Sequence, residues 1–217
     1  MRLYSYWRSS AAYRVRIALA LKGLAYEYVA VHLVRDGGEQ RHPQYLAMNP
    51  GGRVPTVEVG GRFIFQSMAI MEWMDEAYPE PPLLPTEAVA RAQARGIAQM
   101  IVADIQPLQN ISVTNYLKSV HQFDEAQVAA WLRHWIRQGM TAVEQSLQAT
   151  TSFDYACGDH PGLVDACLIP QCYAARRFGV DVERFPRIHA IERKCLDLPA
   201  FRLTAPECQP DVEGAAP

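Results

Sequence analysis

The run from Leu3 to Gly23, LYSYWRSSAAYRVRIALALKG, constrains this chain more than any other stretch. It opens with Leu3-Tyr4-Ser5-Tyr6-Trp7, whose aromatics favour an extended strand. A polar corner follows at Arg8-Ser9-Ser10. Ser9 and Ser10 are of the type that begins helices, because a short hydroxyl can accept a hydrogen bond from a free N–H of the first turn. From Tyr13 onward Val15, Ile17, Ala18, Leu19 and Leu21 supply an apolar helical face, and Gly23 is placed to stop it. A strand that runs straight into a helix N-terminus makes an anion site. Unpaired N–H groups and the positive end of the helix dipole converge there. Two hydroxyls at that spot would suit a thiolate.

The same alternation continues. Tyr26 to Leu33 (YEYVAVHL) reads as a second strand, and Val34 to His42 as a polar loop with Asp36-Gly37-Gly38 as its turn. Pro43 to Met48 reads as a short helical turn. Val54 to Val59 and Arg62 to Phe65 are β-rich runs joined by Gly60-Gly61, a strong hairpin signal. Met68 to Tyr78 carries Ala69, Ile70, Trp73, Met74 and Ala77 at helical spacing. The order β-α-β-turn-β-β-α predicts an α+β domain over residues 1–80. Pro79 to Pro85 (PEPPLLP) is the best boundary, which sets a linker at 81–86 and a second domain at 87–217.

That second domain reads as all helical. Glu87 to about Leu117 bears an apolar stripe that Pro107 should kink. Asp124 is placed to cap a helix through Leu147, Thr150 to Pro161 reads as loop, and Phe185 to Leu196 as a further helix. Leu163 to Phe178 is strongly apolar and central, with a bend expected at Pro170. Asp165 follows Gly162 at capping-box spacing and reads as structural. Glu207 to Pro217 reads as a loose tail.

Composition narrows the function. A net charge of −2 on 217 residues argues against a nucleic-acid binder. No apolar run approaches the ~18 residues of a membrane span. The chain opens directly into a strand without an apolar leader, so a cytoplasmic location is expected. The cysteines, Cys157, Cys167, Cys172, Cys195 and Cys208, form no C-x-x-C pair, and the histidines form no cluster. Free thiols and no metal site are expected, with Cys167 and Cys172 packing as small apolar residues.

Arg8 to Leu19, RSSAAYRVRIAL, resembles the N-terminal motif of the zeta-class glutathione transferases, which include the maleylacetoacetate and maleylpyruvate isomerases. That motif usually reads SSC-x-x-R-x-R-I-A-L, so Ala11 stands where a cysteine is usual. The likeness extends to Ile105-Gln106-Pro107-Leu108-Gln109-Asn110, Gly158-Asp159, Leu168 to Gln171, Arg177-Phe178 and Gln209-Pro210-Asp211. It implies a glutathione transferase fold: a thioredoxin-like N-terminal domain with a cis Pro55, then an all-α C-terminal domain. It also implies glutathione as cofactor, a small dicarboxylate substrate and a homodimer.

The resemblance implies roles as well. Ser9 or Ser10 would hydrogen-bond the glutathione sulfur, Val54 its cysteinyl backbone, Gln66 and Ser67 its γ-glutamyl end, and Gln40 its glycine end. Gln106 and Asn110 would bind glutathione or substrate, sharing a face if the helix continues past Pro107. Arg8 and Arg177 would each take a substrate carboxylate, for which a planar guanidinium fork is well matched. Arg176 would point ~100° away from Arg177 on a helix and reads as a surface ion pair. Asp104 reads as a possible interface residue. Each of these side chains also has an ordinary use, as a cap, a surface ion pair or a polar stripe.

The activity implied is glutathione-dependent cis–trans isomerisation of maleylacetoacetate, by reversible addition of the thiolate to the C=C bond. The alternatives are the same chemistry on maleylpyruvate, or general transfer to α-halo acids. A non-catalytic glutathione-fold binding module is a different class. Failure to bind glutathione would favour it.

Overall fold

The first strand, β1 (Arg2–Ser5), buries Leu3 and Ser5 and leaves its other residues more exposed. It ends before Tyr6 and Trp7 because the chain turns, with the Ser9 N–H donating to the Tyr6 carbonyl at 3.0 Å. Helix α1 (Ser10–Leu21) follows with Ser9 as its N-cap, and Gly23 takes φ +64° just past its end. Then come β2 (Glu27–Ala30), two short 3₁₀ turns at Arg35–Gly37 and Glu39–Arg41, and α2 (Pro43–Met48). A hairpin, β3 (Thr56–Val59) and β4 (Arg62–Phe65), leads into α3 (Ser67–Ala77). Its turn residues Gly60 and Gly61 have φ of +55° and +73°, the left-handed conformation a two-residue hairpin turn requires.

The sheet order is β2-β1-β3-β4, with β1 and β2 parallel and the other pairs antiparallel. This is the mixed sheet of a thioredoxin-like domain, and the Val54–Pro55 peptide is cis. The computed structural model describes residues 1–149 and 153–212. Residues 150–152 of the expected loop, and 213–217 of the expected tail, lie outside the described residues.

The chain divides into two units. One is Met1–Leu83 together with the chain from Asp197 onward, and the other is Leu84–Leu196. The break after Leu83 falls inside the proline-dense stretch. The C-terminal segment departs from the sequence reading, because from Asp197 it groups with the first unit. Short helix α9 (Pro199–Arg202) packs against α1, and Phe201 is fully buried. The stretch up to Val212 is no loose tail. The Asp211 carboxylate accepts the Trp7 N–H at 3.0 Å and the Tyr28 hydroxyl at 2.7 Å.

In the helical unit, α4 (Ala88–Gln99) is capped by Glu87, whose carboxylate accepts the Val89 and Ala90 N–H groups. The expected continuous helix to Leu117 is broken. A π-helical turn (Met100–Ile105) and a 3₁₀ turn (Gln106–Gln109) intervene before α5 (Ile111–Ser119). Pro107 has no N–H for the α-helical ladder, and Asn110 starts the next helix as its N-cap. Helix α6 (Glu125–Gln148) opens on a full capping box, Asp124 with Gln127. Its Gly139 leaves room for Ile105, since a Cβ there would sit 2.2 Å from Ile105 Cγ1.

Helix α7 (Leu163–Arg177) is the centre of this unit and keeps Pro170 within it. Asp165 makes the back-reaching half of a capping box, accepting the Gly162 N–H at 2.8 Å and also the Ala156 N–H at 3.0 Å. Cys167 and Cys172 are buried as small apolar residues. Helix α8 (Pro186–Leu196) is capped from a distance: the Glu144 carboxylate of α6 accepts the Arg187 and Ile188 N–H groups, both at 2.9 Å.

Candidate active site

Strand register gathers the first half of the candidate site. Tyr4 pairs with Thr56, Thr56 with Phe65, and Ser5 with Ala30. The C-terminal ends of β1, β2 and β4 and the N-terminal end of β3 therefore lie at one edge of the sheet. Arg8-Ser9-Ser10 leaves from β1 there, the Gln40 loop from β2, and Gln66-Ser67 from β4, while Val54-Pro55 enters β3. Both α1 and α3 begin at this edge, so two sets of unpaired helix N–H groups lie there.

Ser9 Oγ accepts the Ala12 N–H at 3.2 Å, and its own O–H remains available to donate. Ser10 is the first helical residue, and among the described residues its hydroxyl has no protein partner. Ala11 adds no polar group. Gln66 is exposed and has φ +71° and ψ 117°, uncommon for a residue with a side chain. Ser67 is buried, and its hydroxyl accepts from Arg14 Nη1 at 3.2 Å. Arg8 is half-buried, with its guanidinium 5.0 Å from the centre of the Trp7 ring.

Gln40 is buried rather than extended. Its Nε2 donates to the Leu33 carbonyl at 3.3 Å, and Oε1 is buried without a hydrogen-bond partner among the described residues. Val54 is buried in a cluster with Tyr6, Trp7, Val31 and Tyr45.

Two residues escaped the sequence reading except as letters of a motif. Arg14 and Arg16 are almost fully buried in α1. Arg14 brings a cation to the start of α3 through Ser67. Arg16 donates to the carbonyls of Tyr6 (3.4 Å), Trp7 (3.0 Å) and Thr204 (3.1 Å) and to Ser5 Oγ (3.3 Å). Burial lowers its pKa, although such a group stays charged. Arg16 and Asp211 thus hold the corner that carries Arg8, Ser9 and Ser10. The available signal was two charged residues inside an apolar helical run, which demand buried partners.

The remaining candidates belong to the helical unit. Gln106 is half-buried at the start of the 3₁₀ turn. Asn110 does not share a helix face with it, because the helix ends between them. The Asn110 Oδ1 instead accepts the Ser112 N–H at 3.0 Å and hydroxyl at 2.9 Å. Gln109 and Gln171 exchange two amide hydrogen bonds, at 2.9 and 3.2 Å, and are structural. Arg176 forms a bidentate pair with Glu192, including Nη2 to Oε2 at 2.7 Å, which matches the ion pair expected for it. Arg177 lies with its guanidinium 4.6 Å from the centre of the Phe178 ring. Asp104 is exposed and lines a surface hollow of ≈ 550 Å³ with Met100, Pro107, Leu108 and Trp135. Among the described residues no helix is long and apolar enough to cross a membrane.

What the first unit can hold follows from its parts. Two helix N-termini, hydroxyl donors and a buried arginine suit an anionic ligand with a carboxylate at one end and a thiolate nearby.

Comparison with known proteins points the same way. Residues 1–76 match the family described as glutathione S-transferase, N-terminal domain. The chain is 49% identical over 216 residues to a maleylacetoacetate isomerase of Pseudomonas aeruginosa, covering 99% of this chain and all of that one. Its structure is similar, with a TM-score of 0.94 and 42% identity, to a holo maleylpyruvate isomerase described as a bacterial zeta-class glutathione transferase. That match covers 97% of this chain and 99% of the other. A maleylacetoacetate isomerase of Anaeromyxobacter dehalogenans, solved with dicarboxyethyl glutathione and citrate in its active site, matches with a TM-score of 0.86 and 40% identity. It covers 99% of this chain and 94% of the other.

Proposed function

This chain belongs to the zeta class of the glutathione transferase family, and we propose that it is a glutathione-dependent cis–trans isomerase converting maleylacetoacetate to fumarylacetoacetate. The observation that carries the reading is the single sheet edge where Ser9, Ser10, Val54, Gln66 and Ser67 converge with two helix N-termini. When bound, glutathione supplies the nucleophile, a thiolate that adds reversibly to the C=C bond and so frees it to rotate.

The chain's own residues bind, orient and stabilise. Ser9 and Ser10, with the N-terminus of α1, favour thiolate over thiol, because hydrogen bonds to a charged form lower its pKa. Ser67 and the N-terminus of α3, with the Arg14 cation behind them, take the γ-glutamyl carboxylate. Gln66 sits beside Ser67 for the same end, Val54 takes the cysteinyl backbone and Gln40 the glycine end. Arg8 takes a substrate carboxylate. In the helical unit we assign Gln106 to glutathione, and Arg177 and Asn110 to the substrate. Asn110 acts through its amide N–H₂, since its oxygen caps α5. Ala11 contributes no protein thiol, so the nucleophile arrives with the cofactor.

In this reading the first unit binds glutathione, the helical unit binds substrate, and the protein works as a cytoplasmic homodimer. The experiment is a side-by-side assay of maleylacetoacetate and maleylpyruvate, each with and without glutathione. Equal rates without glutathione would sink the proposal. The likeness to a maleylpyruvate isomerase gives a specific second reading, the same chemistry on maleylpyruvate. A clear preference for that substrate would establish it. Light scattering tests the dimer.

A further inference from the structure

The loop after β2 is an unusual piece of backbone. Asp36, Gly37 and Gly38 all have positive φ, at +53°, +79° and +101°. Glycine adopts positive φ freely and aspartate tolerates the left-handed region, so the backbone alone leaves many shapes open and the groups bonded to the loop fix this one. His32 does this from the end of β2. Its Nδ1 accepts two backbone N–H groups, from Val34 at 3.2 Å and Arg35 at 2.7 Å. Its own backbone is tied to the far side of the loop. The His32 N–H donates to Glu39 Oε2 at 2.7 Å, and the His32 carbonyl accepts the Glu39 N–H at 2.8 Å. The ring stands edge-on to Tyr6, with centres 5.1 Å apart, and the residue is buried.

Gln40 depends on this arrangement. Its amide packs against Gly38, where a Cβ would sit 2.6 Å from Nε2 and 2.7 Å from Oε1, and it donates to the Leu33 carbonyl. Its carbonyl lies against Gly52, 3.3 Å from where a Cβ would be, two residues before Val54. The loop turn, Gln40 and the Val54 segment therefore form one packed set. An imidazole whose Nδ1 accepts two N–H groups carries its proton on Nε2. Protonated at both nitrogens, it would turn an N–H toward two N–H donors, and the loop would lose its acceptor.

We propose that His32 is a positioning residue for glutathione binding, whose neutral imidazole holds the Gln40 loop in its binding shape and makes affinity for the tripeptide fall when that ring gains a proton. This rests on the assignment of Gln40 to the glycine end of glutathione. Of the charged and titratable groups, Glu39 accepts the His32 backbone N–H, Arg35 gives its own backbone N–H to the ring, and Tyr6, just past β1, meets the ring edge-on. Tyr4 and Tyr45 stand behind Tyr6 in the same cluster.

The test uses S-methylglutathione, which has no thiol to ionise, so the glutathione sulfur cannot contribute a pH dependence. Its dissociation constant is measured by calorimetry from about pH 8 to about pH 5.5. For the wild-type protein it should weaken by about tenfold, the scale of one lost buried hydrogen bond. In His32→Asn the side-chain oxygen can replace Nδ1 as acceptor but cannot titrate there, and affinity should be flat with pH. His32→Ala should bind about tenfold more weakly throughout. With glutathione itself it should raise KM and leave kcat unchanged. Glu39→Gln should keep the wild-type slope. A wild-type affinity that does not change with pH would overturn the proposal. So would a slope that persists in His32→Asn or vanishes in Glu39→Gln. No S-methylglutathione binding by the wild type at any pH would overturn the glutathione reading along with it. Far-UV circular dichroism of each variant separates loop loosening from unfolding.

Discussion

Replacing Asp165 tests how α7, the centre of the helical unit, is held. Its carboxyl is 1% exposed and accepts two backbone N–H groups. Each hydrogen bond to a charged group is worth about 1.5–3 kcal/mol, and removing the carboxylate takes the acceptor from a buried Ala156 N–H and a half-buried Gly162 N–H. Against this stands the cost of burying a charge. Burial raises the Asp165 pKa from 3.8 to about 6, although the two N–H groups pull the other way. The net expectation for Asp165→Ala at neutral pH is a loss of about 3 kcal/mol, a large part of the ~5–15 kcal/mol that stabilises a domain.

The pH dependence has a definite sign. The folded state holds its proton more tightly than the unfolded state, so folding is favoured while the group is protonated. That contribution is complete below about pH 4 and is lost as pH rises through about 6. Between pH 7 and pH 5 the linkage relation gives the wild-type protein about 1.4 kcal/mol of extra stability. Asp165→Asn, which cannot titrate, lacks it. Urea unfolding followed by tryptophan fluorescence at both pH values measures the difference. An Asp165→Ala midpoint equal to the wild-type one would refute the capping argument. A wild-type protein that weakens from pH 7 to pH 5 relative to Asp165→Asn would refute the electrostatic one.

Ser9→Ala should cost about 1 kcal/mol of stability through its lost cap, while Ser10→Ala should leave the unfolding midpoint unchanged. Whichever change lowers kcat/KM by about a hundredfold or more marks the thiolate donor, as measured in the isomerase assay. Gly139→Ala places a methyl group on Ile105, so overpacking of about 1–3 kcal/mol should outweigh the better helix propensity of alanine of about 1 kcal/mol. A raised midpoint in that variant would show that Ile105 moves aside freely. Asp211→Ala removes the acceptor for the Trp7 N–H and the Tyr28 hydroxyl. It should destabilise the first unit by about 3 kcal/mol, and a change under about 0.5 kcal/mol would mean the C-terminal segment is dispensable.

Local chemistry made much of this protein legible before any coordinates. The Ser9 cap, the Gly60-Gly61 hairpin and the Asp124 capping box each depend on residues within a few positions. Such features are written in spacing and propensity. The break at Met100 to Asn110 was only half legible. Pro107 announced an irregularity, but the π-turn also needs the space that Gly139 leaves on α6, over thirty positions away.

Tertiary structure alone decided the rest. Arg14 meets Ser67, Arg16 meets Thr204, Glu144 caps α8, and Asp211 returns the C-terminal segment to Trp7 and Tyr28. Each joins a buried or half-buried charge to a partner far along the chain. The sequence states the demand, since a buried charge must be compensated, but it does not name the residue that answers. That choice is made when packing brings distant backbone and side-chain groups within hydrogen-bonding distance. The chain by itself therefore determined the strands, most of the helices and the motif at Arg8 to Leu19. Packing decided which cations serve the fold and left Ser9 and Ser10 on a corner held rigidly from behind.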